Sequence, residues 1–175
     1  MNSKKAKYTI PLQKTHVGVQ ECSFTIQRAF IEQNDIEDVY GADISVELRI
    51  ETHNNMRTIE LSIHGTIDVL CDRCREECSV EIEHSETFLV KTDELGHEFT
   101  DEENVILVSP QDVELDMTDL FREMIIVSIP LQKMHPENEC NPEIERLLDS
   151  EKRKEHTESN KTDPRWDTLK KLFDN

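Results

Sequence analysis

Between residues 44 and 91, apolar and polar positions alternate with the period of two that marks a half-buried strand. In TIELSIHGTIDVLC the apolar set Ile59, Leu61, Ile63, Ile67, Val69 and Cys71 falls on odd positions, and the even positions are mostly polar. ISVELRIET repeats the pattern with Ile44, Val46, Leu48 and Ile50, and Asn54 and Asn55 in the following HNNMR supply a turn. SVEIEHSETFLVK continues with Val80, Ile82, Phe88 and Val90 on one face. These runs predict strands near 44–52, 58–71 and 79–91. They form a meander in an antiparallel sheet or partly closed barrel, because no strand–helix–strand alternation calls for parallel pairing.

Outside the meander the signals are shorter. KYTIPL and ECSFTIQ read as strands, RAFIEQNDIEDVYGAD as a helical turn and a loop, and VILVS at 105–109 as a strand following an acidic linker. The period then changes. In DMTDLFREMIIVSI, residues Leu120, Phe121, Met124, Ile125 and Val127 recur at helical spacing behind an Asp116 or Thr118 cap, and Pro130 ends the run. A helix near 116–128 packed on the sheet makes the fold class α+β. From about Pro136 apolar density falls, and DSEKRKEHTESNKTDP holds no Ile, Leu, Val, Phe or Met to drive collapse. The expectation is a single domain over 1–140 and a mostly disordered acidic tail over 141–175. In that tail, Trp166, Leu169, Leu172 and Phe173 mark a short amphipathic docking helix near 164–174.

Charge narrows the choice of partners. The 175 residues carry 38 Asp and Glu against 20 Lys and Arg, a formal net charge of −18. Such a surface repels a phosphate backbone, so non-specific nucleic-acid binding is disfavoured and basic partners are favoured. MNSKKAKYTIPL contains no apolar run of signal-peptide length, and no later stretch is as long as a membrane span. The expectation is therefore a cytoplasmic protein without membrane contact. Catalytic motifs are missing: there is no G-x-S-x-G, H-E-x-x-H or Gly-rich phosphate loop. His53, His64 and His84 read as surface or edge histidines.

Three of the five cysteines lie in VLCDRCREECSVE. Cys71 and Cys74 form a C-x-x-C in the turn after a strand, a spacing that lets two thiolates reach one tetrahedral ion. The downstream HPENEC offers His135 and Cys140, so that Cys71, Cys74, His135 and Cys140 would make a split zinc site, with Cys78 as reserve ligand. The competing reading keeps Cys71 as a core thiol of the strand and Cys74 and Cys78 as solvated turn thiols. A redox role needs the pair at a helix start beside a βαβ unit, a context this meander lacks.

Taken in order, these features resemble the YceD family, the large-subunit ribosomal RNA accumulation proteins of bacteria and plastids. The likeness rests on HGTIDVLCDRC, with Cys71, Arg73 and Cys74 at the C-x-R-C. It continues through LDMTDLFREMIIVSIPL with its closing Pro130, through MHPENEC, and through the terminal DPRWDTLKKL, which looks like the tail of Bacteroidetes-type members. The resemblance implies a non-enzymatic factor needed for 23S ribosomal RNA to accumulate and the large subunit to be built. In the family, the gene often neighbours that of a small basic ribosomal protein. Many members carry a second cysteine pair after the helix, where this chain has His135 and Cys140. The implied partner is a basic ribosomal protein or an assembling precursor particle, with RNA contacted indirectly, and Arg73 joins Trp166, Leu169, Leu172 and Phe173 as a docking candidate. Two alternatives stand beside it: a small zinc- or thiol-dependent redox enzyme, and a module binding RNA directly through KRK at 152–154.

Overall fold

A computed structural model describes residues 8–12, 18–53, 56–92, 104–136 and 139–158, with the side chains of 152–158 left out. Three long strands carry the molecule: β3 (Gly41–His53), β4 (Met56–Leu70) and β5 (Glu77–Thr92). They are the expected meander, each longer than its apolar run because strand pairing continues past the last buried side chain. The register opposes Leu48 to Leu61 and Ile59 to Phe88, which puts the alternating apolar residues of all three strands on one face. Ile44, Val46, Ile59, Ile63, Ile67 and Val69 are completely buried there.

The sheet is completed by β2 (Gly18–Gln27), antiparallel to β3, and by β6 (Val105–Val108) beside β5. Two expectations change at this point. The β5–β6 pair is parallel, so the sheet is mixed. The connection at 93–104 has the length of about a dozen residues that a parallel return requires. The partly closed barrel is also replaced by an open sheet of order β2-β3-β4-β5-β6, whose edge strands do not pair with each other among the described residues.

On the buried face lies α2 (Thr118–Ser128), which presents Phe121, Met124 and Ile125 to the core. The Asp116 side chain accepts hydrogen bonds from the Thr118 amide (2.9 Å) and hydroxyl (2.6 Å), but the capping position is Met117, which makes no side-chain capping bond, so the expected Asp116 or Thr118 cap shifts by one residue. At the other end Ile129 is extended, as the residue before a proline must be. The expected helical turn at RAFIEQ is α1 (Arg28–Gln33), and KYTIPL contributes β1 (Thr9–Pro11). β1 pairs with β7 (Glu114–Asp116), a strand too short to show in the alternation. This pairing brings Tyr8 into edge-on ring contact with Phe30 at 5.2 Å and Phe121 at 5.8 Å, which closes one end of the core with aromatic rings.

The largest departure is α3 (Pro142–Glu158), a helix where the tail was expected to be without regular structure. Its start is built from Asn141, whose side-chain oxygen accepts from the Glu143 amide at 2.9 Å, followed by Pro142 in the first helical position. Of this helix, the partly buried Ile144 packs against the core. The docking residues Trp166, Leu169, Leu172 and Phe173 lie outside the described residues, as does the rest of the tail from 159. No described helix is long and apolar enough to cross a membrane.

Candidate metal centre

Where β4 ends, the backbone folds into a tight knuckle. The Cys71 amide donates to the Glu76 carbonyl at 2.8 Å and the Arg75 amide to the Cys71 carbonyl at 2.9 Å, with Arg75 at φ +63° to make the reversal. This wraps Cys74 back beneath Cys71. The loop after α2 is fastened to the knuckle by a reciprocal pair: the Asp72 amide donates to the Lys133 carbonyl, and the Lys133 amide to the Asp72 carboxylate, both at 2.7 Å. His135 is thereby carried onto the knuckle. Cys140 follows at the foot of α3, held there as Asn141 donates to the Glu76 carboxylate at 2.7 Å.

The result is a four-donor cluster. The sulfurs of Cys71 and Cys140 are 3.7 Å apart, and His135 Nδ1 lies 3.4 Å from the Cys74 sulfur and 3.7 Å from that of Cys140. All four donor atoms of Cys71, Cys74, His135 and Cys140 fall within 4.8 Å of one another. Around a tetrahedral zinc with bonds of about 2.3 Å to sulfur and about 2.0 Å to nitrogen, donors stand about 3.5–3.8 Å apart. The three closest separations match. The three cysteines are buried, which shields the cluster from solvent.

His135 is oriented by its second nitrogen. Nε2 lies 3.0 Å from the Glu77 carbonyl, an oxygen that can only accept, so Nε2 carries a proton and Nδ1 faces the thiols. The electrostatics fit a site that favours negative sulfur. Burial pushes the Cys71 thiol up, but hydrogen bonds from the Cys74, His135 and Arg73 backbone and the His135 ring outweigh it and bring the group down to about 6. That contact with Cys71, reinforced by the Glu77 carbonyl, raises His135 against the opposing effect of burial. Cys140 is pushed up to about 11, first by burial and then by hydrogen bonds to Cys71 and Cys74.

The cluster could therefore hold a metal ion, and its donor chemistry, three sulfurs and one imidazole, is that of a closed structural zinc site. All four donors come from protein, so a bound ion would keep no open place for a catalytic water. The reserve ligand Cys78 is buried on β5 opposite Val69 and stays outside the group of four. Burial raises its thiol, and negative charge on Cys71 and Cys74 raises it further. Arg73, the docking candidate, projects from the knuckle toward α3, where it sits 3.5 Å from Glu145 in an exposed contact worth at most about 1 kcal/mol. Asp72 and Asn141, which fasten the cluster, escape a search for metal ligands. Their signals are the aspartate inside the C-x-x-C and the cap-then-proline order of Asn141 and Pro142.

The description "large ribosomal RNA subunit accumulation protein YceD" belongs to the family model that matches residues 59–173. The chain is a member of the YceD family. The matched span contains the knuckle, α2, the loop with His135, and Cys140, so the whole four-donor cluster lies inside the YceD match. No curated protein and no solved structure matches the chain. Membership supports a role in accumulation of large-subunit ribosomal RNA, and the family description names no catalytic activity.

Proposed function

We propose that this chain is a non-enzymatic assembly factor that binds a basic ribosomal protein, or a protein-rich face of the assembling large subunit, in the cytoplasm. RNA then accumulates because the particle protects it, and its contact with this chain is indirect. In this reading the four-donor cluster holds a structural zinc that fixes the knuckle and α3.

The observation that carries the reading is the exposed face of the sheet. Glu21, Asp43, Glu47, Glu51, Glu60, Glu81 and Glu83 alternate there with serines and threonines across β2 to β5. Arg49 lies among them but is engaged by Glu60 at 3.0 Å and Glu51 at 3.6 Å. A face of this sign attracts lysine- and arginine-rich protein and repels phosphate. The fold also lacks the context for thiol redox chemistry, since the C-x-x-C closes an antiparallel hairpin instead of starting a helix.

The test is affinity purification of the full chain from growing cells, with identification of bound protein and RNA. Basic large-subunit proteins should be recovered, with a yield that falls as salt is raised. A haul without ribosomal components would overturn the reading, and RNA recovered after protein partners are stripped away would favour direct RNA binding.

A further inference from the structure

A groove of about 590 Å³ runs between α2 and the β5–β6 edge, away from both the metal cluster and the exposed sheet face. Its apolar lining includes Phe88, Ile106, Leu120, Met124 and Val127. Val127 is 67% exposed, and Leu120 and Ile106 are only partly covered by the core. Around them stand the carboxylates of Glu86, Asp116, Asp119 and Glu123, and among the described residues no Lys, Arg or His lines the groove, although His84 beside it reaches Glu86 at 3.8 Å. The cation of α2, Arg122, is turned to the opposite side, where its Nε donates to the Asn34 carbonyl at 2.9 Å. Asp119, Glu123 and Val127 follow one another at four-residue spacing and are all exposed, so α2 lays one stripe of acid, acid and apolar residue along the groove.

We propose that this groove takes an amphipathic, lysine- and arginine-bearing segment of a basic protein. The inference rests on the assembly-factor reading above and adds a second contact, beside the acidic sheet face, with its own place and form. Charge complementarity selects the occupant: an apolar stripe fills the floor, and flanking cations meet a ring of four carboxylates, of which Asp119 and Glu123 on α2 make no ion pair among the described residues. A nucleic-acid strand is excluded by the same four charges.

The test uses the full-length chain and, as probe, a fluorescent amphipathic helix made only of leucine and lysine, beside a scrambled peptide of identical composition. The ordered helix should bind about tenfold or more tightly than the scrambled one. Val127→Asp should weaken it by about tenfold, as should the pair Asp119→Lys with Glu123→Lys, each at an exposed position whose exchange leaves the core intact. Charge reversal at Glu37, an exposed residue of the loop after α1 that belongs to neither the groove nor the acidic sheet face, should change it by less than about twofold at moderate salt when made as Glu37→Lys. Equal binding of the two peptides, or equal loss with Glu37→Lys, would reduce the effect to net charge and overturn the proposal. Binding that appears only after Trp166→Glu and Leu172→Glu would assign the groove to the chain's own terminal segment and overturn it as well. Recovery of ribosomal proteins by the Asp119→Lys, Glu123→Lys chain as fully as by the unaltered chain would defeat the groove while leaving the assembly-factor reading standing.

Discussion

Gly65 sits in the middle of β4, paired with Ile44, at φ +154°. A side chain there would run into the Asp43 carbonyl and come within 2.7 Å of the Ile44 Cα, both fixed backbone atoms of the neighbouring strand. The strand therefore requires glycine for close approach as well as for its backbone angle. Gly65→Ala should destabilise the protein by about 2 kcal/mol, measured by chemical denaturation, because strain and clash add at one residue. A loss under about 0.5 kcal/mol would mean that β3 and β4 can separate locally without cost.

Among the elements, α2 is tied to the core through Phe121. Phe121 is fully buried and touches both Tyr8 and Phe24, so the helix, β1 and β2 share one aromatic cluster. Phe121→Ala should cost about 3–5 kcal/mol of unfolding free energy and weaken the hold on β1. Protection of the β1 amides in hydrogen exchange should fall with it. Much of this was legible in the chain: period-two runs locate β3 to β5, and period 3.6 with Asp116 and Pro130 locates α2, since burial on one face writes itself into residue order. The parallel pairing of β6 was not legible, because a four-residue apolar strand has the same pattern in either direction. Nor was α3, whose capping Asn141, Pro142, Ile144, Leu147 and Leu148 precede the apolar-free stretch that dominated the local composition. The cluster was readable as a list of donors. What brings them together, the Asp72–Lys133 bond pair and the Glu77 carbonyl behind His135, uses a backbone group on at least one side of every bond, and of these only the Asp72 carboxylate leaves a mark on residue type.

For the whole molecule, a zinc ion held by the four donors would be a large source of stability. Zinc at such a set contributes on the order of 10 kcal/mol, so a chelator should lower the melting temperature of the zinc-loaded chain sharply, and Cys71→Ser with Cys74→Ser should abolish that sensitivity. Protons compete with the ion. Cys71 gives up its proton at about 6 in the metal-free fold whereas Cys140 holds its own to about 11, so zinc uptake near neutrality must expel the Cys140 proton. Affinity should rise with pH across that interval and be weakest as pH falls toward 6, which zinc titrations at about pH 6 and about pH 8 would check. Purified protein that holds no zinc and is indifferent to chelator would leave the four donors as a hydrogen-bonded cluster. The donors also differ in age within a newly made chain. Cys74 and His135 are 61 residues apart in sequence, and at roughly 5–20 residues per second of synthesis the first pair of thiols waits about 3–12 s for its partners. The meander can pair during that delay, whereas the clasp cannot close before residue 140 is joined. A product cut short between residues 117 and 134 would keep every described strand but lack two of the four donors, so zinc bound at the cluster would distinguish chains that extend past residue 139 from shorter ones.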